Sequence, residues 1–173
     1  GGRSIIVPVE RNTMEALQTE RCRIEPFTKA HGPAAMALFT DPAVREFLGG
    51  PVPAEYAKRR AEDWLRSKDP HFSVLRQPDG AFLGVVDIAP YHEPGRLELS
   101  YMFLKDAWGH GYAVESIGRI LQYCRDELHI TNIVSETQKK NIRSCKLLER
   151  LGYTLEKQVE RFGAEQCVYV RRL

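Results

Sequence analysis

The stretch Trp108-Gly109-His110-Gly111-Tyr112-Ala113 carries the clearest chemical meaning in this chain. It lies between a strand-like run, Leu97 to Phe103, and a helix-like run from Tyr112 to about Leu128. A glycine-bearing strand-to-helix turn lets the backbone N–H groups from Gly109 to Val114 face a phosphate, with the positive end of a helix behind them. The turn holds no acidic residue, Lys105 and His110 add positive character, and the first carboxylate, Glu115, is already inside the helix. Two common nucleotide fingerprints fail here. The dinucleotide motif needs a third glycine where Val114 stands, and the Gly-Lys-Ser/Thr ending of the phosphate loop is missing. Taken alone, the hexapeptide also fits two glycines that only turn a strand into a helix.

A second segment adds to the first. Asn141-Ile142-Arg143-Ser144-Cys145-Lys146-Leu147-Leu148-Glu149-Arg150-Leu151-Gly152-Tyr153 reads as a short helix with Asn141 as its N-cap and Gly152 as its stop. Ser144 follows Asn141 by three residues and Leu148 follows Ser144 by four, so they share roughly one face.

Together the two segments resemble the GNAT acetyltransferase superfamily. Its acyl-CoA loop, Arg/Gln-x-x-Gly-x-Gly/Ala, reads here as Trp108-x-x-Gly111-x-Ala113, with Trp in place of the usual Arg or Gln. Its downstream Asn-x-x-Ser-x-x-Leu and Leu-Gly-Phe/Tyr read as Asn141, Ser144, Leu147 and Leu151-Gly152-Tyr153. The Trp-Gly-x-Gly-Tyr-Ala form, with Glu98-Leu99-Ser100-Tyr101 before it and Thr19 to Phe27 at the start, is most similar to the RimJ/RimL branch. That resemblance runs from about Met14 to Leu173. It implies a layered α/β (α+β) domain with a mostly antiparallel central sheet and helices on both faces. It also implies an acetyl-CoA-dependent N-acetyltransferase that moves an acetyl group to a primary amine, a protein N-terminus or a small molecule, by direct attack in a ternary complex. A non-catalytic acyl-CoA sensor on the same fold and a transferase using a longer acyl-CoA are the alternatives.

The resemblance assigns residues to roles. Gly109, His110, Gly111, Tyr112, Ala113 and Val114 would hold the pyrophosphate of CoA through their main chain. The strand backbone at Tyr101, Met102, Phe103 and Leu104 would pair with the pantetheine arm, an N–H near Phe103 serving the oxyanion; the side chains of Tyr101 and Phe103 read as core. Asn141 and Ser144 would face the CoA arm. Many family members place a Tyr acid one residue after the motif's Leu, but that position is Leu148 here, which leaves Ser144 as the candidate acid. Glu98 is the first candidate base and Asp87, inside the apolar run Val85-Val86-Asp87-Ile88, the second. Tyr91 and His92, in the loop that follows, are candidates for the acceptor mouth. One member of the basic group Lys139, Lys140, Arg143 and Lys146 would meet the 3′-phosphate. An α-amine with pKa near 8 is about one-tenth neutral at pH 7, whereas a lysine amine is neutral about once in several thousand molecules. A site without a strong base therefore suits an α-amine or a weakly basic small amine.

The elements that hold these residues follow from periodicity and turn signals. Arg21 to Phe27 reads as a strand, Lys29 to Phe39 as an alanine-rich helix, and Asp41-Pro42 as the start of a short helix. Gly49 to Pro53 is a loop and Ala54 to about Ser67 a helix; these helices would cover the acceptor site. His71 to Leu75 and Ala81 to Ile88 flank the turn Gln77-Pro78-Asp79-Gly80, and Gly95 to Phe103 is the next strand. After the long helix come a strand, Asn132 to Thr137, and a closing hairpin, Thr154 to Arg161 with Gln166 to Arg172. Residues 1–13 read as an upstream extension or cloning remnant and residues 14–173 as one acetyltransferase domain.

Composition sets the outer limits. The 173 residues are 43% hydrophobic and 28% charged, with a net charge of +2. That balance argues against a nucleic-acid partner. No apolar run approaches the ~20 residues of a membrane span, and no secretory signal is visible. Cys22, Cys124, Cys145 and Cys167 form no Cys-x-x-Cys pair and read as reduced, hence cytoplasmic. The five histidines lack metal-ligand spacing, so no metal is expected. The chain reads as a monomer or a homodimer; the resemblance favours dimers, but no residue requires one.

Overall fold

The computed structural model describes residues 15–173. The reading of residues 1–13, and of a start at Met14, lies outside the described residues. Among the described residues eight strands form one sheet in the order β1-β2-β3-β4-β5-β6-β8-β7. They are β1 Leu17–Gln18, β2 Cys22–Pro26, β3 His71–Arg76, β4 Phe82–Pro90, β5 Leu97–Phe103, β6 Asn132–Gln138, β7 Thr154–Arg161 and β8 Ala164–Arg172. The helices are α1 Gly32–Thr40, α2 Pro42–Arg45, α3 Ala54–Arg66, α4 Tyr112–Asp126 and α5 Ile142–Arg150. The expected layered α/β class and mostly antiparallel sheet are therefore found. Strand β1 was not expected, because two residues are too few to show a period. Helix α4 stops at Asp126, short of Leu128, and His129 just beyond takes a left-handed φ of 55°. No helix among the described residues is long and apolar enough to cross a membrane.

Both faces of the sheet are covered, which explains why β4 reads as an almost unbroken apolar run. Val86 and Ile88 join Leu99, Phe103, Ile117, Ile120 and Leu148 under α4 and α5. Val85, on the opposite face, joins Phe39, Ala57, Ala61 and Trp64 under α1 and α3. Side chains alternate along a strand, so Asp87 shares the face of Val85. Its register partner is Ser100, and Ala89 pairs with Glu98. Glu98 in turn pairs with Val134. Asp87, Glu98, Ser100, Met102 and Glu136 thus lie on one sheet face.

All neighbouring strands are antiparallel except β5 and β6, which are parallel and share the single pair Glu98↔Val134. Beyond it β5 stays with β4 as far as Gly84↔Phe103, while β6 stays with β8 as far as Gln138↔Gln166. The two middle strands part, and a wedge opens between their C-terminal halves. Gly84 is required at this point. A Cβ there would run into the Met102 carbonyl oxygen and lie 2.9 Å from Phe103 Cα, so only glycine allows β4 to approach the end of β5 this closely.

Candidate active site

The wedge continues into a cavity of about 770 Å³. Its walls are the second half of β5, the turn into α4, one side of α5, Glu136 and Thr137 of β6, and Ala43, Val44, Glu46, Phe47 and Leu48 in and after α2.

The main chain of β5 is divided between two sides. The Leu104 N–H donates to the Leu83 carbonyl at 2.8 Å. In an antiparallel ladder, hydrogen-bonded and non-bonded pairs alternate, so Met102 and Ser100 also bond toward β4, whereas Leu99, Tyr101 and Phe103 turn their N–H and C=O groups toward the wedge. The Leu99 carbonyl accepts from Ser135 Oγ at 2.7 Å. The Phe103 carbonyl accepts from the Trp108 indole at 3.0 Å. What faces the cavity unengaged is the Tyr101 peptide edge and the Phe103 N–H. This corrects the expectation for Leu104, which does not line the cavity and whose N–H is committed to β4, and for the Met102 backbone.

The turn into α4 supplies the other half of the wall. Gly111 caps the helix at φ +81° and Gly109 has φ +78°. The first intrahelical bond runs from the Glu115 N–H to the Gly111 carbonyl at 3.1 Å. The six N–H groups from Gly109 to Val114 have no protein acceptor among the described residues, and all six residues line the cavity. The carboxylate of Glu115 is turned away and held by Thr19 Oγ1, by the Arg21 N–H at 2.9 Å and by Arg21 Nε at 2.8 Å. Burial raises its pKa, but these bonds outweigh burial and hold it below the usual carboxylate range. Arg21 also donates to the His110 carbonyl at 2.9 Å, which brings a cation to the turn.

Helix α5 faces this turn across the cavity. Asn141 Oδ1 accepts from the Ser144 N–H at 3.2 Å, so Asn141 caps the helix and lines the cavity at once. Ser144 Oγ bonds the Tyr101 hydroxyl. The Tyr101 side chain packs against the core, as expected, and is also part of the cavity wall; burial pushes its phenol up to about 12. Leu148 is fully buried and takes no part. Arg143, Lys146 and Arg150 line the cavity along one helical stripe, and the Arg143 guanidinium stacks 4.7 Å over the Trp108 ring. Lys139 pairs instead with Glu165. Arg150 was missed in the sequence, although its spacing from Arg143 and Lys146 places it on their stripe.

The far end is closed by the segment after α2. Gln138 Nε2 donates to the Phe47 carbonyl at 3.0 Å and Arg45 Nη2 to the Leu48 carbonyl at 2.6 Å. This ties the segment to β6 and folds it back on α2. Glu136, which the sequence reading passed over, lines this end; its Oε1 accepts from the Tyr91 hydroxyl at 2.6 Å and its Oε2 from Arg161 at 3.0 Å. The acceptor-mouth expectations change accordingly. Tyr91 is buried against Val134 and Val168 and acts only through Glu136, while His92 is exposed and off the cavity. Glu98 and Asp87 do not line the cavity either. Ser100, the next residue on the same face of β5, does. Burial, with the charge of Glu136 next, raises Glu98 to about 7. Burial, with the charge of Glu98 next, raises Asp87 to about 7.

The sequence profile of the acetyltransferase (GNAT) domain matches residues 21–154. The chain belongs to the GNAT acetyltransferase family. This acetyltransferase is 26% identical over 142 residues to the uncharacterized protein YkkB of Bacillus subtilis (strain 168), covering 78% of this chain and 82% of that one. Its fold matches the acetyltransferase (GNAT family) from Bacillus anthracis with a TM-score of 0.81 at 19% identity, over 91% and 98% of the two chains. It also matches the spermidine N-acetyltransferase from Vibrio cholerae, solved with CoA and spermine, with a TM-score of 0.76 at 13% identity, over 89% and 96%. Among the described residues no group of His, Cys, Asp and Glu could hold a metal, and all four cysteines are free and buried.

Proposed function

We propose that this GNAT enzyme is an acetyl-CoA-dependent N-acetyltransferase for a primary amine, of the RimJ/RimL-like type. The observation that carries the reading is the run of six unengaged N–H groups, Gly109 to Val114, opening onto the same cavity as the Phe103 N–H. The first set suits a diphosphate at a helix N-terminus. The Phe103 N–H, at the end of β5, suits the oxygen of the acyl group. Trp108 supports this division, because its indole occupies the Phe103 carbonyl and leaves only the donor of that residue exposed.

Acetyl-CoA brings an already activated acyl group, so the chain need supply no nucleophile of its own. The unengaged main-chain edge of β5 pairs with the pantetheine arm as an added strand would. The hydroxyl pair Tyr101–Ser144 is the candidate proton donor to the departing sulfur, since Tyr101 stays protonated at neutral pH. Glu98 is the proposed base, acting past Ser100, and a carboxyl poised near 7 matches that task. Release of free thiol from acetyl-CoA in the presence of a panel of primary amines tests the function. No thiol release with any amine would overturn it.

The α5 stripe gives a sharper test of the CoA orientation. Replacing both Lys146 and Arg150 with alanine is expected to weaken coenzyme A about tenfold, as befits two exposed charges near a phosphate. Binding of dephospho-coenzyme A should be unchanged, and calorimetry with the two ligands reads the difference.

A further inference from the structure

Charge along the cavity is segregated. Arg143, Lys146 and Arg150 line the end nearest the α4 turn. At the other end the charged lining residues are Glu46 and Glu136, set among apolar Val44, Phe47, Leu48 and Met102. Among the described residues no cation lines that end. The guanidinium groups of Arg45 and Arg161 are engaged elsewhere. Arg45 gives Nη2 to the Leu48 carbonyl at 2.6 Å and Nε to the Gly50 carbonyl at 3.1 Å, and its Nη1 lies 3.9 Å from the Met102 sulfur. Arg161 is bound to Glu136 Oε2 at 3.0 Å. Glu136 itself is 9% exposed at the side chain and fixed at both oxygens. Each oxygen keeps a lone pair for an ammonium donor. Behind this wall, on the same sheet face, Asp87 and Glu98 have no hydrogen-bond or ion-pair partner among the described residues.

An ammonium entering at this end meets fixed acceptors, and an alkyl or aryl group beside it meets Val44, Phe47, Leu48 and Met102. A carboxylate beside the amine would meet Glu136 and Glu46 with no lining cation among the described residues to offset them, and like charges brought together exclude the wrong partner. Resting on the reading that CoA phosphates occupy the α4 end, we infer that the acceptor is an amine on an apolar body whose adjacent carbon bears no free carboxylate. A plain arylalkylamine and the first residue of a peptide share this chemistry. A free amino acid lacks it.

The test compares three acceptors by thiol release: 2-phenylethylamine, a short C-terminally amidated peptide beginning with phenylalanine, and phenylalanine itself. The first and third differ only by the carboxylate. The carboxylate-free amine is the more basic of the two, so a preference for it does not come from easier deprotonation. We expect kcat/KM for phenylethylamine or the peptide to exceed that for phenylalanine by on the order of 100-fold; which of the two leads identifies the source. Glu46→Lys, at an exposed position, should cut the discrimination severalfold by raising phenylalanine. Equal use of phenylalanine, or an unchanged ratio in Glu46→Lys, would overturn the inference. Coenzyme A binding is measured by calorimetry on the same sample. If it binds and none of the three is acetylated, the acceptor class is wrong and the CoA site stands. If it does not bind, the reading beneath has failed.

Discussion

Replacing Gly111 with valine is expected to lower coenzyme A affinity at least about 100-fold while leaving the fold intact. Gly111 caps α4 at φ +81°, a conformation that a β-branched residue adopts only with strain. A Cβ at this position would also come within 3.3 Å of Arg21 Nη2, and Arg21 holds both the His110 carbonyl and Glu115. Valine would therefore push the turn away from Arg21 and rotate the peptide groups on either side. Those groups belong to the six that face the cavity. A diphosphate gains from such an array only when the donors converge, so a modest rotation removes several bonds together. The turn is at the surface, and the α4 core residues Ile117, Ile120 and Cys124 begin a full turn later. Isothermal titration with coenzyme A reads the loss, and circular dichroism with a thermal melt checks that the protein remains folded. Unchanged affinity in a folded Gly111→Val protein would remove the ligand assignment from this turn.

What the sequence made legible here is what neighbouring residues decide. The Trp108 to Ala113 turn and the Asn141 cap are local devices, each complete within a few residues, and both stand where the residue types put them. The apolar periods of α3 and α4 likewise set their extents to within a residue or two. The acceptor end is different in kind. Glu136 sits in an ordinary strand, and its role depends on Tyr91, 45 residues away, and Arg161, 25 away. The segment after α2 becomes a wall only through Gln138, 91 residues from Phe47. No local pattern encodes such pairings. The same holds for β5. Which of Tyr101, Met102, Phe103 and Leu104 offers its main chain to the cavity is fixed by the register with β4, and a shift of one residue would exchange the pairs. Tyr101 shows the limit from the other side. Its aromatic type and strand position fit core packing, and only the approach of α5 brings its hydroxyl to Ser144.

Substituting Glu98 with glutamine is expected to lower kcat/KM about 100-fold and, at the same time, to stabilise the protein at alkaline pH. The two effects have one origin. Burial, together with the negative charge of Glu136, holds the Glu98 carboxyl at about 7, well above an ordinary glutamate. As the proposed base it is inactive when protonated, so below about 7 kcat/KM should rise with pH more steeply than ionisation of the amine alone requires, and above it only the amine limb remains. The glutamine variant should lose that limb and retain only the limb set by ionisation of the amine. A positioned base contributes on the order of 100-fold or more. For stability the sign is opposite to that of a paired acid. The folded state holds its proton up to about 7, whereas the unfolded chain releases it near 4.3. Between these values the folded state binds more protons, so stability is lost as pH rises through that window. Asp87, raised to about 7 by burial and then by Glu98, contributes in the same direction. Allowing for partial solvent screening, Glu98→Gln should be more stable than the parent by about 1–2 kcal/mol at pH 8. This corresponds to a rise in Tm of roughly 3–6 °C for a chain of this size. Near pH 4, where the parent carboxyl is also neutral, the two melts should coincide. Thermal melts at the two pH values and a pH–rate profile decide the matter together. A variant that keeps the limb near 7 would show that another group is the base, and one destabilised equally at both pH values would show that the charge on Glu98 is not what the fold works against.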